Sequence, residues 1–262
     1  MDYQLIILSF VIVFTTPSEA WNYKQQDLWP VMYCQKAIAQ SPIDLQPNNM
    51  TNLKTTPLKF SNWDENYNLT VRNSGHTIQA ELPCTTQVTV SGGYLPGTFK
   101  LFQFHFHWGA EHTINEQRFA LEAHFVTHNT KYNTAEEAVR YTNGIAVVTI
   151  LFDFSDKENR ELQPIIQQVG NLKQVGQTVQ LQLNPASFLP NDVKNFYRYF
   201  GSLTTPNCND VVVWTIFTDL SKINKRQVDK FRTINGEDGT PLTENVRKIQ
   251  PLNGRLVYKI ST

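Results

Sequence analysis

Residues 101–112 read LFQFHFHWGAEH and carry three of the chain's six histidines. If they form a strand, Leu101, Gln103, His105 and His107 project to one face and Phe102, Phe104, Phe106 and Trp108 to the other. One face is then polar and the other aromatic, the pattern of a sheet packed on one side and open to water or a ligand on the other. A second such pattern follows about ten residues later in FALEAHFVTH, residues 119–128. There Phe119, Leu121, Ala123 and Phe125 alternate with Ala120, Glu122, His124 and Val126. That separation suits a hairpin with a broad loop, so His105, His107 and His124 are placed to converge from neighbouring strands.

Working outward, residues 86–90, 98–108, 119–127, 145–152, 178–183 and 211–218 are short and rich in Val, Ile, Thr and Phe. Gly, Pro, Asn or Asp clusters separate them, which predicts strands. Helical signals are brief. Thr134 to Glu137 and Ser155 to Glu158 each fit a capping box, and Asn224 with Gln227 opens a stretch in which Val228 and Phe231 share a face, ending near NGEDG. The chain has 262 residues, 40% of them hydrophobic, enough for a sizeable core with no shift of composition to mark a boundary. The expected fold class is mainly β (α+β): a single domain on a large twisted, mostly antiparallel central sheet with a few short peripheral helices.

The first 20 residues differ from the rest. An apolar run of about ten residues from Leu5 to Phe14 precedes Ser18-Glu19-Ala20, small residues where a signal peptidase reads, so residues 1–20 are expected to be a cleaved secretory signal and 21–262 the domain. The run is well short of the roughly 20 residues a spanning helix needs, and the C-terminus carries no second run and no lipidation signal. Removing the segment takes away Asp2 and Glu19 and leaves a formal charge of +2. Nothing in that balance suggests nucleic acid as a partner. A soluble, extracellular protein without a membrane anchor is expected, with sequons at Asn49 and Asn68 open to glycosylation. Cys34, Cys84 and Cys208 allow one disulfide in any of three pairings and leave one thiol over.

Two side chains at i and i+2 of a strand sit roughly 7 Å apart and point the same way, a gap that two imidazoles can close onto one ion. A third imidazole from the paired strand leaves one tetrahedral position for water, and three neutral ligands leave the full charge of Zn²⁺ to polarise it. Imidazole ligands usually donate their second nitrogen to an oxygen, and Gln103 and Glu122 stand two residues from proposed ligands on the same faces. By spacing alone, Glu111 and His112 remain open as ligands, a general base, or a local hydrogen-bonded pair.

QFHFHWG, AEHTIN, LEAHFV, NSGHT, QSPIDL, YRYFGSLTTP, VVVWTIF and NVRKIQPLNGR together resemble, in order, the motifs of the α-class carbonic anhydrases, over about Trp21 to Val257. The resemblance implies a secreted zinc lyase that hydrates carbon dioxide reversibly to bicarbonate and a proton, by attack of zinc-bound hydroxide. It implies that His105, His107 and His124 hold Zn²⁺, with Gln103, Glu122 and the backbone carbonyl of Asn245 orienting their rings. Thr204 would accept a hydrogen bond from the hydroxide and donate its own proton to Glu111, with Thr205 touching bicarbonate and His112 a buried structural partner. Val126, Val147, Leu203, Val212 and Trp214 would form the apolar wall beside the metal. His76 would be the proton shuttle, with Tyr23 and Ser74 ordering the intervening water. Cys34 and Cys208 would be bridged, leaving Cys84 over; a monomer is expected, with a dimer open to it through Cys84. The chain departs from the family's usual pattern in a shorter loop after Trp108, in QQDLWP near the N-terminus, and in TTPNC where TTPPC is more usual.

Overall fold

A computed structural model describes residues 21–262, and the expected signal segment lies outside the described residues. Ten strands make the spine of a thirteen-stranded mixed sheet: β1 (Thr51–Lys54), β2 (Tyr67–Asn73), β3 (Ile78–Glu81), β4 (Phe99–Trp108), β5 (Leu121–Asn129), β6 (Ile145–Phe154), β7 (Thr178–Leu183), β8 (Asn195–Gly201), β9 (Val212–Phe217) and β10 (Tyr258–Ser261). Their spatial order is β7-β2-β3-β4-β5-β6-β9-β8-β10-β1. All neighbours run antiparallel except β6 with β9 and β10 with β1, which are parallel. The mainly β class, the large central sheet and the short helices are as expected from the sequence.

Alternation explains the two cores. Phe104, Phe106, Leu121, Ala123, Phe125, Val148, Val213 and Phe217 lie in one apolar cluster, closed by Val228 and Phe231 of the helix Lys225–Phe231. Val126, Val147, Tyr199, Trp214 and Ile216 lie in the other. Phe104 and Phe125 are cross-strand partners with rings 4.9 Å apart, a pairing that contributes about 0.2–1 kcal/mol relative to an Ala–Ala pair.

One face assignment needs correction. Leu101 packs in the first core and Phe102 against the second, the reverse of simple alternation. The cause is an irregularity in the β4–β5 pairing: Gln103 pairs with Val126 but Leu101 with Thr127, so Phe102 is an extra residue and everything before it changes face. The residues from Gln103 onward keep the expected sides.

The capping signals fared unequally. Asn224 and Gln227 form a full capping box. Thr134 accepts from the Glu137 amide, although the Glu137 carboxylate turns to the amide of Asn133 instead. Ser155 starts no helix. Its hydroxyl accepts from the Lys157 amide, and the Ser155 and Asp156 carbonyls accept from the Asn224 side chain, which holds the segment as a loop. The helix begins only at Gln163, with Pro164 in its first turn.

A candidate metal centre

The register of β4 against β5 sets His105 directly opposite His124 and His107 opposite Glu122. The ligand atoms of His105, His107 and His124 lie within 4.8 Å of one another. Each ring has one nitrogen already engaged. His105 Nδ1 lies 2.9 Å from Gln103 Oε1 and His107 Nδ1 2.7 Å from the Asn245 carbonyl, so each donates from Nδ1 and presents the Nε2 lone pair. His124 Nε2 lies 2.5 Å from Glu122 Oε1, which leaves Nδ1. His107 Nε2 is buried without a hydrogen-bond partner among the described residues, a costly orphan that coordination would satisfy. A set of three imidazoles, each steered by an oxygen on its far nitrogen, fits Zn²⁺.

Electrostatics agree with that donor set. Burial pushes His105 well below the ordinary imidazole range, helped by His107 and His124, and burial likewise lowers His124 against the pull of Glu122. Both rings are therefore neutral, the form that binds metal. Burial pushes Glu122 up, but His112 and His124 beside it and their hydrogen bonds together outweigh it, and the carboxyl stays well below the usual carboxylate range.

His112, Glu122 and His124 make a second cluster of compatible spacing. Its atoms are spoken for. Glu122 accepts from the His112 amide at 2.8 Å and faces His112 Nδ1 at 2.7 Å, while His112 Nε2 lies 2.6 Å from the Tyr199 hydroxyl. With both ring nitrogens of His112 engaged, this is a buried hydrogen-bonded chain and not a vacant donor set. It braces Glu122, which in turn orients His124.

Glu111 is fully buried, with Oε1 accepting from the Arg247 amide at 2.8 Å. Its Oε2 lies 3.5 Å from His107 Nε2 and has no hydrogen-bond partner among the described residues. The hydrogen bond anticipated from Thr204 to Glu111 is thus not formed here. The free oxygen faces His107 instead.

A cavity of about 320 Å³ opens over the three histidines, lined by Val126, Val147, Leu203, Trp214, Thr204 and Thr205, and also by Tyr23, Ser74 and His76. Val212 does not line it. That side chain is fully buried, in the same apolar cluster and on the same face of β9 as Trp214, which does line the cavity. His76 borders this cavity and an adjacent one of about 410 Å³. Its ring stacks on Trp21 at 3.7 Å, its Nε2 is 3.9 Å from Glu237 Oε1, and burial lowers its pKa to about 4.

Sequence reasoning missed three contributors. The Asn245 side chain donates to the His76 and Phe106 carbonyls and accepts from the Trp108 amide, tying the loop to β4. Arg247 donates to the carbonyls of Ser41 and Cys34. Tyr199 was present only inside a motif, with no sign that its hydroxyl reaches His112. A disulfide joins Cys34 to Cys208, Cys84 is free and exposed, and Asn49 and Asn68 are both exposed.

Residues 19–261 match the family model described as eukaryotic-type carbonic anhydrase. The chain is 32% identical over 273 residues to carbonic anhydrase 6 of Bos taurus, covering 97% of this chain and 84% of that protein. It is 36% identical over 231 residues to carbonic anhydrase 6 of Mus musculus, covering 83% and 72%. It is 31% identical over 269 residues to putative carbonic anhydrase 5 of Caenorhabditis elegans, covering 97% and 86%.

Proposed function

The chain belongs to the eukaryotic-type carbonic anhydrases, and from that premise we propose that it is a secreted, Zn²⁺-dependent enzyme hydrating carbon dioxide to bicarbonate, with His76 as proton carrier. The observation that carries the reading is the trio His105, His107 and His124, each with one nitrogen engaged by an oxygen and the other free at a shared point. When bound, Zn²⁺ supplies Lewis acidity that brings a water's pKa to about 7, a magnitude established on carbonic anhydrase itself and not read from these residues.

The chain's own groups do the rest. Three uncharged ligands leave the ion's charge unquenched, and Gln103, Asn245 and Glu122 fix the tautomers. Val126, Val147, Leu203 and Trp214 give carbon dioxide an apolar resting place that excludes competing water. Thr204 and Thr205, on the opposite loop, offer hydroxyls to orient the oxygens of the reactants. For Thr204 to be an obligate acceptor toward the reacting oxygen, its one proton must go to Glu111 Oε2, and that oxygen has no partner among the described residues.

Proton export sets a further requirement. A group of pKa near 7 loses its proton to bulk water only about 10²–10³ times per second, given a recapture ceiling of roughly 10⁹–10¹⁰ M⁻¹s⁻¹. On the Trp21 stack His76 is too weak a base to relay at neutral pH, so the role requires the ring to turn into the cavity, where water restores the ordinary imidazole range. Replacing it, His76→Ala, is expected to hold turnover in weak buffer to about 10²–10³ s⁻¹, with recovery on adding a small imidazole buffer. Unchanged turnover in weak buffer would remove His76 from the relay.

The disulfide, the two exposed sequons and the apolar run ahead of residue 21 support passage through the secretory route. Among the described residues no helix is long and apolar enough to cross a membrane. The deciding experiment measures carbon dioxide hydration and metal content together, before and after a zinc chelator. One Zn²⁺ per chain, and activity lost with the chelator and regained with zinc, is the expected result. Folded, zinc-loaded protein without hydration activity would overturn it.

A further inference from the structure

On the face of the sheet turned away from the metal centre, β8 carries a cation to which no described residue supplies a counter-charge. Arg198 is 3% exposed, and its Nε, Nη1 and Nη2 are all buried without a hydrogen-bond partner among the described residues. Its neighbours are fixed by register: Thr215 of β9 on one side and Tyr258 of β10 on the other, with Val148 of β6 beyond Thr215. Directly paired residues share a face, so these four side chains stand in one row. The Thr215 hydroxyl is also buried, with no partner among the described residues. Phe196, Val213 and Phe217 wall the row, and the guanidinium carbon sits 5.3 Å from the centre of the Phe196 ring.

This is a cluster of donors without an acceptor. A guanidinium presents five N–H groups and no acceptor, and the threonine adds an O–H. Among the described residues no carboxylate forms an ion pair with Arg198, and burial alone lowers its pKa, to about 9, with no acidic group opposing it. Arginine stays charged in proteins, and an uncompensated charge in an apolar interior is among the most costly features a fold can carry. Water can take up the hydrogen bonds but leaves the charge. We propose that Arg198 and Thr215 form an interior binding site for one small monovalent inorganic anion. The single cation sets the valence, and the aromatic and aliphatic walls set the size. At the outer end of the row Tyr258 is half-buried, with its ring 6.1 Å from exposed Tyr94. The proposal is independent of the metal centre and its chemistry.

Bromide is the probe, because it scatters anomalously. Crystals of the zinc-loaded protein grown in bromide are expected to show an anomalous peak within hydrogen-bonding distance of the Arg198 guanidinium. Against gluconate at equal ionic strength, the Tm is expected to rise by about 3–5 °C for each tenfold increase in bromide above its Kd. In Arg198→Met both the peak and the rise at this site should vanish. In Thr215→Val the anion should bind more weakly, moving the rise to higher bromide. Should Arg198→Met fail to fold, the wild-type peak and Thr215→Val still decide. Ordered water around Arg198 in bromide-grown crystals, a peak confined to the metal centre, or a bromide dependence unaltered in Thr215→Val would overturn the proposal.

Discussion

His107→Ala is expected to reduce carbon dioxide hydration by at least about 10³-fold and to leave well under one Zn²⁺ per chain, while His112→Ala retains the metal. The two histidines are five residues apart and both buried, so burial does not separate them. Their nitrogens do. His107 commits Nδ1 to the Asn245 carbonyl and has Nε2 orphaned, whereas His112 has both nitrogens engaged, by Glu122 and Tyr199. Removing His107 takes away a ligand, and two imidazoles hold an ion far more weakly than three. Removing His112 deletes a brace two hydrogen bonds from the proposed ligand His124, where such losses typically cost about 10–100-fold in affinity or activity. Metal content and initial hydration rates on the two purified variants check this directly. Metal retained by His107→Ala and lost by His112→Ala would move the centre to the cluster of His112, Glu122 and His124.

The convergence of His105, His107 and His124 was legible because alternation along a strand is a steric property of each residue, and polar groups at i and i+2 fall on one side in any register. Where Phe102 points was not, because the extra residue exists only in relation to Val126 and Thr127 of the neighbouring strand. β2, β8 and β10 escaped for a related reason. YNLTVRN, NFYRYFG and YKIS mix polar or charged residues into the pattern, and pairing with neighbours rather than their own composition makes them strands. Asn245 was beyond reach of any spacing argument. It sits in a segment without regular structure, 138 residues from His107, and acts through both its carbonyl and its side chain. Resemblance supplied the carbonyl; only the fold supplied the side chain. Arg198 is the converse case, a residue whose place inside a recognised motif said nothing of its isolation on the opposite face.

Converting both bridged cysteines, Cys34→Ser with Cys208→Ser, is expected to lower stability by about 2–5 kcal/mol, a fall in Tm of roughly 5–20 °C. The bridge closes a separation of 174 residues, so its loss frees a long loop in the unfolded chain. Both ends also sit beside the chemistry. On one side the Cys208 amide donates to the Thr205 carbonyl at 2.7 Å and Gln40 donates to the Cys208 carbonyl at 2.9 Å, pinning the loop that carries Thr204 and Thr205. On the other, Arg247 donates to the Cys34 carbonyl at 2.7 Å while its own amide holds Glu111. The proposed metal ligands lie on β4 and β5, and neither cysteine bonds to them; the link is indirect, from Cys34 through Arg247 and Glu111 toward His107. The double variant should therefore bind Zn²⁺ stoichiometrically yet hydrate carbon dioxide with a lower kcat/KM at temperatures where it is still folded. Thermal unfolding and metal content, measured side by side, separate the two effects. A Tm unchanged by the substitutions would show that Arg247 and Gln40 hold these segments without the covalent link. A lost metal would show that the bridge acts on β4 and β5 after all.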